Sequence, residues 1–161
     1  MNVFDFAMEM EKAGQVHYER LAAEASTAEF KNLFSMLATA EQAHYDALHA
    51  VKNGKDVVKA DFTVLEKAKI IFQKLLPEKE DRGDLQADPD GYMHAIKAEE
   101  DSIKFYEEAA EKEQNEYARK LLLMLAEEEK EHLSIVENIY EFAEAPRTFL
   151  AWGEFSNLKE L

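Results

Sequence analysis

An all-α fold built on four long helices is what this sequence predicts, and three observations predict it. Apolar residues recur at helical spacing along most of the chain. Strand-like alternation persists nowhere. Three prolines and five glycines leave few breakers in a chain rich in Ala, Glu, Leu and Lys, all good helix formers. A length of 161 residues fits one domain, 1–161, with enough chain to enclose a sizeable core.

The elements follow in order. Residues 3–24 carry an apolar stripe on or near Phe6, Met10, Ala13 and Leu21. The stretch S-x-x-E at 26–29 reads as a capping box that opens a second helix. That helix stops at Asn53-Gly54, so the first hairpin spans 3–53. Residues 54–88 form a crossover, with a short helix at about 60–76 carrying Phe62, Leu65, Ile70, Phe72 and Leu76. Pro77 and the polar run EKEDRGD close it. Asp88-Pro89 supplies a cap and a first helical residue for a third helix that runs to about 112. Asn115 caps a fourth, which reaches about 144 and completes a second hairpin, 89–144. Pro146 interrupts, and residues 145–161 read as a short terminal helix whose Phe149, Trp152 and Phe155 cover the bundle or join subunits.

Composition removes several classes of function. The net charge of −15 argues against general nucleic-acid binding, which needs positive charge for phosphate. Cysteine is absent, which excludes disulfides, thiolate metal sites, iron–sulfur clusters and cysteine nucleophiles. Any metal must be held by carboxylate and imidazole. No basic segment feeds an apolar run at the N-terminus, and no run of eighteen apolar residues exists. The expected location is cytoplasmic, with no membrane span.

The stretches EQAH at 41–44 and EKEH at 129–132 each place a histidine three residues after a glutamate. With 34 acidic residues in the chain, one such pair means little. A repeat ties the two together. At a constant offset of 88, Ala7 falls on Ala95, Glu11 on Glu99, Tyr18 on Tyr106, Glu41 on Glu129 and His44 on His132. Each Glu-x-x-His therefore follows another glutamate by 30 residues. The midpoints, 26 and 114, both fall in predicted turns. Residues equidistant from the turn of an antiparallel hairpin lie at one height, here roughly 22 Å along the helices. Glu and His at i and i+3 share a helix face. Two facing hairpins then place four carboxylates and two imidazoles at the centre of a four-helix bundle, the arrangement of a ferritin-like di-metal site.

The chain resembles the ferritin-like domain of the rubrerythrin family over about 1–145. The matching motifs are E-K-x-G-x-x-x-Y at 11–18, L-A-x-x-E-x-x-H at 37–44, A-E-E-x-S-x-x-F-Y at 98–106 and L-A-E-E-E-K-E-H at 125–132. The resemblance implies Glu11, Glu41, His44, Glu99, Glu129 and His132 as metal ligands. It implies that Glu41 and Glu129 bridge, while Glu11 and Glu99 are terminal, one to each metal. It also implies a homodimer. Family members that reduce peroxide usually have a further glutamate where this chain has Ser102, so the site here follows the plain six-ligand pattern. The rubredoxin-like module is missing too, so the electron donor is expected from outside.

Four carboxylates neutralise two divalent ions when both histidines are neutral, and hard oxygen donors with imidazole suit iron. Manganese, zinc and mixed occupancy share such sites. The expected function is a di-iron oxidoreductase that reduces hydrogen peroxide or dioxygen, as peroxidase, oxidase or ferroxidase. The other reading is a metal-binding, iron storage or delivery protein without turnover. Tyr18 and Tyr106 lie seven residues after Glu11 and Glu99 and serve either as hydrogen-bond partners of the ligands or as core aromatics. Ser102 admits water or fills a small gap. His17, His49 and His94 lack the matched pattern and read as surface or local contacts. Met8, Met10, Met36, Met93 and Met124 read as packing residues. Whether the four helices come from one chain or are exchanged between subunits stays open.

Overall fold

The computed structural model describes residues 2–25, 27–54 and 89–144. They form four α-helices: α1 (Val3–Glu24), α2 (Ala28–Lys52), α3 (Pro89–Lys112) and α4 (Glu116–Glu144). Among the described residues there is no strand. The readings of a crossover helix and of a terminal helix with Phe149, Trp152 and Phe155 lie outside the described residues.

Local chemistry sets the helix ends. Asn2 caps α1, its Oδ1 accepting from the Asp5 N–H at 2.8 Å. Asn115 caps α4 in the same way, accepting from the Ala118 N–H at 3.0 Å. The start of α2 differs from the sequence reading. Its cap is Thr27, not Ser26; Thr27 Oγ1 accepts from the Phe30 N–H at 3.4 Å. The third residue on is then Phe30, so Thr27 does not open a capping box, and Glu29 lies in the first turn, where its charge suits the helix dipole. At the far end of α2, Gly54 takes φ +76°, a conformation that favours glycine after a helix. Lys52 and Asp5 form an ion pair that ties this end of α2 to the start of α1.

α1 packs along α2 and α3 along α4, and the hairpins meet through α1 against α3 and α2 against α4. The Phe6 and Phe105 rings lie 4.9 Å apart and the His17 and His94 rings 4.7 Å apart, so α1 and α3 run antiparallel. Phe34 stacks on Tyr92 at 6.1 Å, which puts the starts of α2 and α3 at the same end. The end of α2 and the start of α3 therefore lie at opposite ends of the bundle.

The core is split into two apolar clusters. One holds Leu21, Phe30, Leu33, Phe34, Val136 and Ile139, near the α1–α2 turn. The other holds Ala7, Met8, Leu48, Leu121, Leu122 and Leu125, near the α3–α4 turn. Fully burying each Leu or Phe contributes about 1.5–3 kcal/mol, and this offsets the burial of a polar layer between the clusters.

The stripe read on α1 is rotated from the face that is buried. Leu21 is buried, but Phe6 is 47% exposed, Ala13 is exposed and Met10 is half-buried. The inward face carries Ala7, Met8, Glu11, Tyr18 and Leu21. A buried glutamate adds nothing to a hydrophobic pattern, so the pattern's centre slips round the helix. Met8 is buried, and Met10 and Met36 pack partly buried, but Met93 and Met124 are each 47% exposed and fill no core.

Candidate metal centre

Each helix sends one or two polar side chains into the layer between the clusters. α1 supplies Glu11, α2 Glu41 and His44, α3 Glu99, and α4 Glu129 and His132; all six are at most 4% exposed. Both turns lie at the predicted midpoints, so these residues reach the same height.

The six fall into two overlapping groups. Glu11, Glu41, His44 and Glu129 offer ligand atoms within 4.8 Å of one another, and so do Glu41, Glu99, Glu129 and His132. Glu41 and Glu129 belong to both groups. Each histidine turns Nδ1 into the cluster. His44 Nδ1 lies 3.3 Å from Glu11 Oε2 and 2.9 Å from Glu129 Oε1. His132 Nδ1 lies 3.0 Å from Glu41 Oε1 and 3.3 Å from Glu99 Oε1. The two rings stack 5.4 Å apart.

Two tyrosines cross between the hairpins. Tyr18 of α1 donates to Glu99 Oε1 on α3 at 2.8 Å, and Tyr106 of α3 donates to Glu11 Oε1 on α1 at 2.5 Å. These bonds hold the two unshared carboxylates. Burial, followed by the adjacent carboxylates, pushes both phenols well above their ordinary range, so they remain donors. The two tyrosines are also core aromatics, nearly fully buried.

The electrostatics divide the carboxylates into two kinds. Burial, then the neighbouring carboxylates, pushes Glu41 and Glu129 well above the usual range. Burial also acts to raise Glu11, but the His44 charge and hydrogen bonds, including those from His44 and Tyr106, outweigh it and hold Glu11 at about 2. Glu99 is likewise lowered against its burial, by hydrogen bonding with Glu129 and by His132 and Tyr18. Burial lowers the two histidines, but the carboxylates around them raise both by more. Without metal, the shared carboxyls are thus pushed towards the neutral form, and the unshared carboxylates and both histidines towards the charged form. These opposing shifts reduce the net charge of the buried layer, as a dry core favours.

The residues fit a pair of divalent cations. Glu99 Oε2 is buried without a hydrogen-bond partner. No lysine or arginine is among the six, so four ionised carboxylates need outside cations to balance them. Two divalent ions with neutral histidines do so while keeping the layer uncharged.

Sequence reasoning missed two contributors. Glu128 Oε1 lies 3.9 Å from His44 Nε2, the ring nitrogen turned away from the cluster. Its only signal is the run of three glutamates at 127–129. Gly14, one turn beyond Glu11, is the other. A Cβ added there would lie 3.2 Å from both Cδ and Oε2 of Glu41. Glycine inside a helix costs about 0.5–1 kcal/mol relative to alanine, so a packing reason is needed, and room for this shared carboxylate supplies it. Gly14→Ala is expected to keep or raise the thermal midpoint of the metal-free protein, where Glu41 can shift. It is expected to weaken metal binding about tenfold or more, because a coordinated Glu41 cannot shift. Titration calorimetry checks this; unchanged affinity would refute the role given to Gly14.

His17, His49 and His94 stay out of the cluster. His17 Nε2 lies 2.9 Å from the Gly91 carbonyl oxygen, and His94 lies exposed against the His17 ring. Ser102 is half-buried and lines a cleft that reaches Glu41 and Glu99.

An antiparallel pair of hairpins with one glutamate on each first helix and Glu-x-x-His on each second is a ferritin-like carboxylate bundle whose buried cluster fits a di-iron site. The sequence model of the family described as Rubrerythrin matches residues 54–147, more than half of the chain. The chain belongs to the rubrerythrin family. That match contains Glu99, Glu129 and His132; the first-hairpin set, Glu11, Glu41 and His44, rests on the internal repeat and on the geometry. No curated protein and no solved structure matches the chain. No helix among the described residues is long and apolar enough to cross a membrane.

Proposed function

We propose that this protein is a di-iron oxidoreductase, a single ferritin-like domain over 1–161 that reduces hydrogen peroxide or dioxygen as ferrous iron is oxidised at the six-residue centre. The observation that carries the reading is the sharing of Glu41 and Glu129 by both ligand groups. In this reading Glu41 and Glu129 would be shared by the two metal positions, Glu11 and Glu99 would each serve one, and His44 and His132 would complete the two sets. When bound, a pair of irons supplies two electrons to a single oxidant.

The chain's own residues set the conditions for that chemistry. Tyr106 and Tyr18 hold Glu11 and Glu99 in place by hydrogen bonds and keep their protons. The apolar clusters on either side exclude water along the bundle axis. Burial and the neighbouring carboxylates favour the protonated forms of Glu41 and Glu129. In this reading electrons return to the site from an external donor. Family membership favours peroxide as the oxidant. It also supports a homodimer, and sedimentation showing only monomer at micromolar concentration would remove that part.

The test is stopped-flow spectroscopy of protein loaded with ferrous iron without oxygen. Peroxide or dioxygen is expected to produce a diferric absorption band faster than free ferrous iron oxidises, and an added reductant should permit further cycles. No band with either oxidant would refute the catalytic reading and leave a metal-binding protein. A band that forms as fast with dioxygen as with peroxide would replace the peroxidase label with oxidase or ferroxidase.

A further inference from the structure

A cleft of about 300 Å³ opens between α1 and α3 and ends at the metal centre. Buried Glu41, Glu99 and Tyr18 form its inner end, and exposed His94 and Asp101 lie at its outer end. Phe6, Met10, Ala13 and Ala98 contribute apolar wall, and the Phe6 ring is packed against Phe105. Gly14 and Ser102 occupy equivalent places in the repeat and both line it. The small side chains at 13, 14, 98 and 102 are what leave the space open.

The volume exceeds what the smallest oxidants use. A water molecule takes about 30 Å³, and an apolar cavity of about 150 Å³ accepts benzene. The carboxylates of Glu99 and Asp101 disfavour an anion in this space. The apolar walls suit a compact hydrocarbon body, while the Ser102 hydroxyl and the metal centre suit a polar oxygen end. A neutral molecule with both parts satisfies the whole cleft.

Building on the oxidoreductase reading, we propose that the α1–α3 cleft binds organic hydroperoxides with a compact apolar body, oxygen end inward, as oxidants of the site. The O–O bond breaks as the hydroperoxide takes up two electrons and two protons, giving one alcohol and one water. A bound pair of ferrous ions would supply the two electrons, one each, and an external one-electron donor would restore them. The protons come from solvent through the open end of the cleft. Ala13 and Ala98 act on selectivity by leaving room for the hydrocarbon body.

The test uses the full chain, with 2-phenyl-2-propanol as unreactive probe and cumene hydroperoxide as oxidant. Added to the metal-free protein, the alcohol is expected to shift the amide resonances of Ala13, Gly14, Ala98 and Ser102 saturably, with a Kd of about 1 mM or tighter. Ala98→Trp and Ala13→Trp, at positions on opposite walls, should remove those shifts while leaving the circular dichroism unchanged. In the ferrous-loaded protein, cumene hydroperoxide should yield one alcohol per pair of ferrous ions oxidised. Each tryptophan variant should lower the rate with cumene hydroperoxide relative to hydrogen peroxide by about tenfold or more. Absence of saturable shifts, or shifts spread outside the cleft, overturns the proposal. Fast oxidation by hydrogen peroxide with none by cumene hydroperoxide also overturns it and leaves the oxidoreductase reading standing. No oxidation by either overturns both.

Discussion

Glu41→Ala and Glu129→Ala are each expected to weaken metal binding at both positions, by about 100-fold or more, beyond the 10–100-fold typical of outer hydrogen-bond partners. Glu11→Ala and Glu99→Ala are expected to affect mainly one position each. The asymmetry follows from membership: Glu41 and Glu129 belong to both ligand groups, Glu11 and Glu99 to one apiece. The metal-free proteins should behave the other way round. Burial and the neighbouring carboxylates push Glu41 and Glu129 towards the neutral form there, so removing either should cost the metal-free fold less. Removing Glu11 leaves the raised His44 without its main counter-charge, and about 3–5 kcal/mol of stability is at stake for such a broken pair. Metal content per chain and thermal midpoints of the four metal-free variants check both halves. Equal metal losses in all four would contradict the shared-ligand assignment.

Metal loading is expected to release protons, and affinity is expected to rise steeply with pH. Glu41, Glu129, His44 and His132 are all raised, so protons on them compete with metal over a wider range of pH than on free side chains. Affinity should therefore fall as pH is lowered, because ligands must lose their protons to bind metal. The signs for stability follow by linkage. The raised carboxyls, Glu41 and Glu129, stabilise the metal-free fold below their ordinary value of 4.5, and this is lost as pH rises through their higher folded values. The raised histidines likewise contribute fully below 6.5 and lose that contribution as pH rises. Glu11, held at about 2, contributes above 4.5 and loses its contribution as pH falls towards 2. The gap in thermal midpoint between loaded and metal-free protein should therefore widen as pH rises. Calorimetry in buffers of different ionisation enthalpy counts the protons; a binding heat independent of buffer would contradict this charge balance.

The parts of this molecule that were legible in the sequence depend on spacing along one chain. Glu41 and His44 share a helix face at any i, i+3 spacing, and the offset of 88 reveals their counterparts without any knowledge of packing. The hairpins and their turns follow for the same reason. What was hidden depends on contacts between helices. Thr27 and Ser26 are both good caps, and only the backbone conformation selects Thr27. Phe6 and Met10 look like core residues until the buried Glu11 is seen to occupy the inward face. Gly14 appears in the quoted motif, but its contact is with Glu41 on the neighbouring helix. The crossing of Tyr18 to Glu99 and Tyr106 to Glu11 likewise joins different hairpins, so spacing within either hairpin cannot display it.

The most direct measurement is metal analysis of protein isolated without added metal, paired with anomalous diffraction at the iron edge. Two iron peaks are expected between the hairpins, with Glu41 and Glu129 in contact with both, Glu11 and His44 with one, and Glu99 and His132 with the other. Metal bound only at surface carboxylates, or a single ion that leaves Glu41 or Glu129 uncoordinated, would contradict a shared-carboxylate di-iron centre.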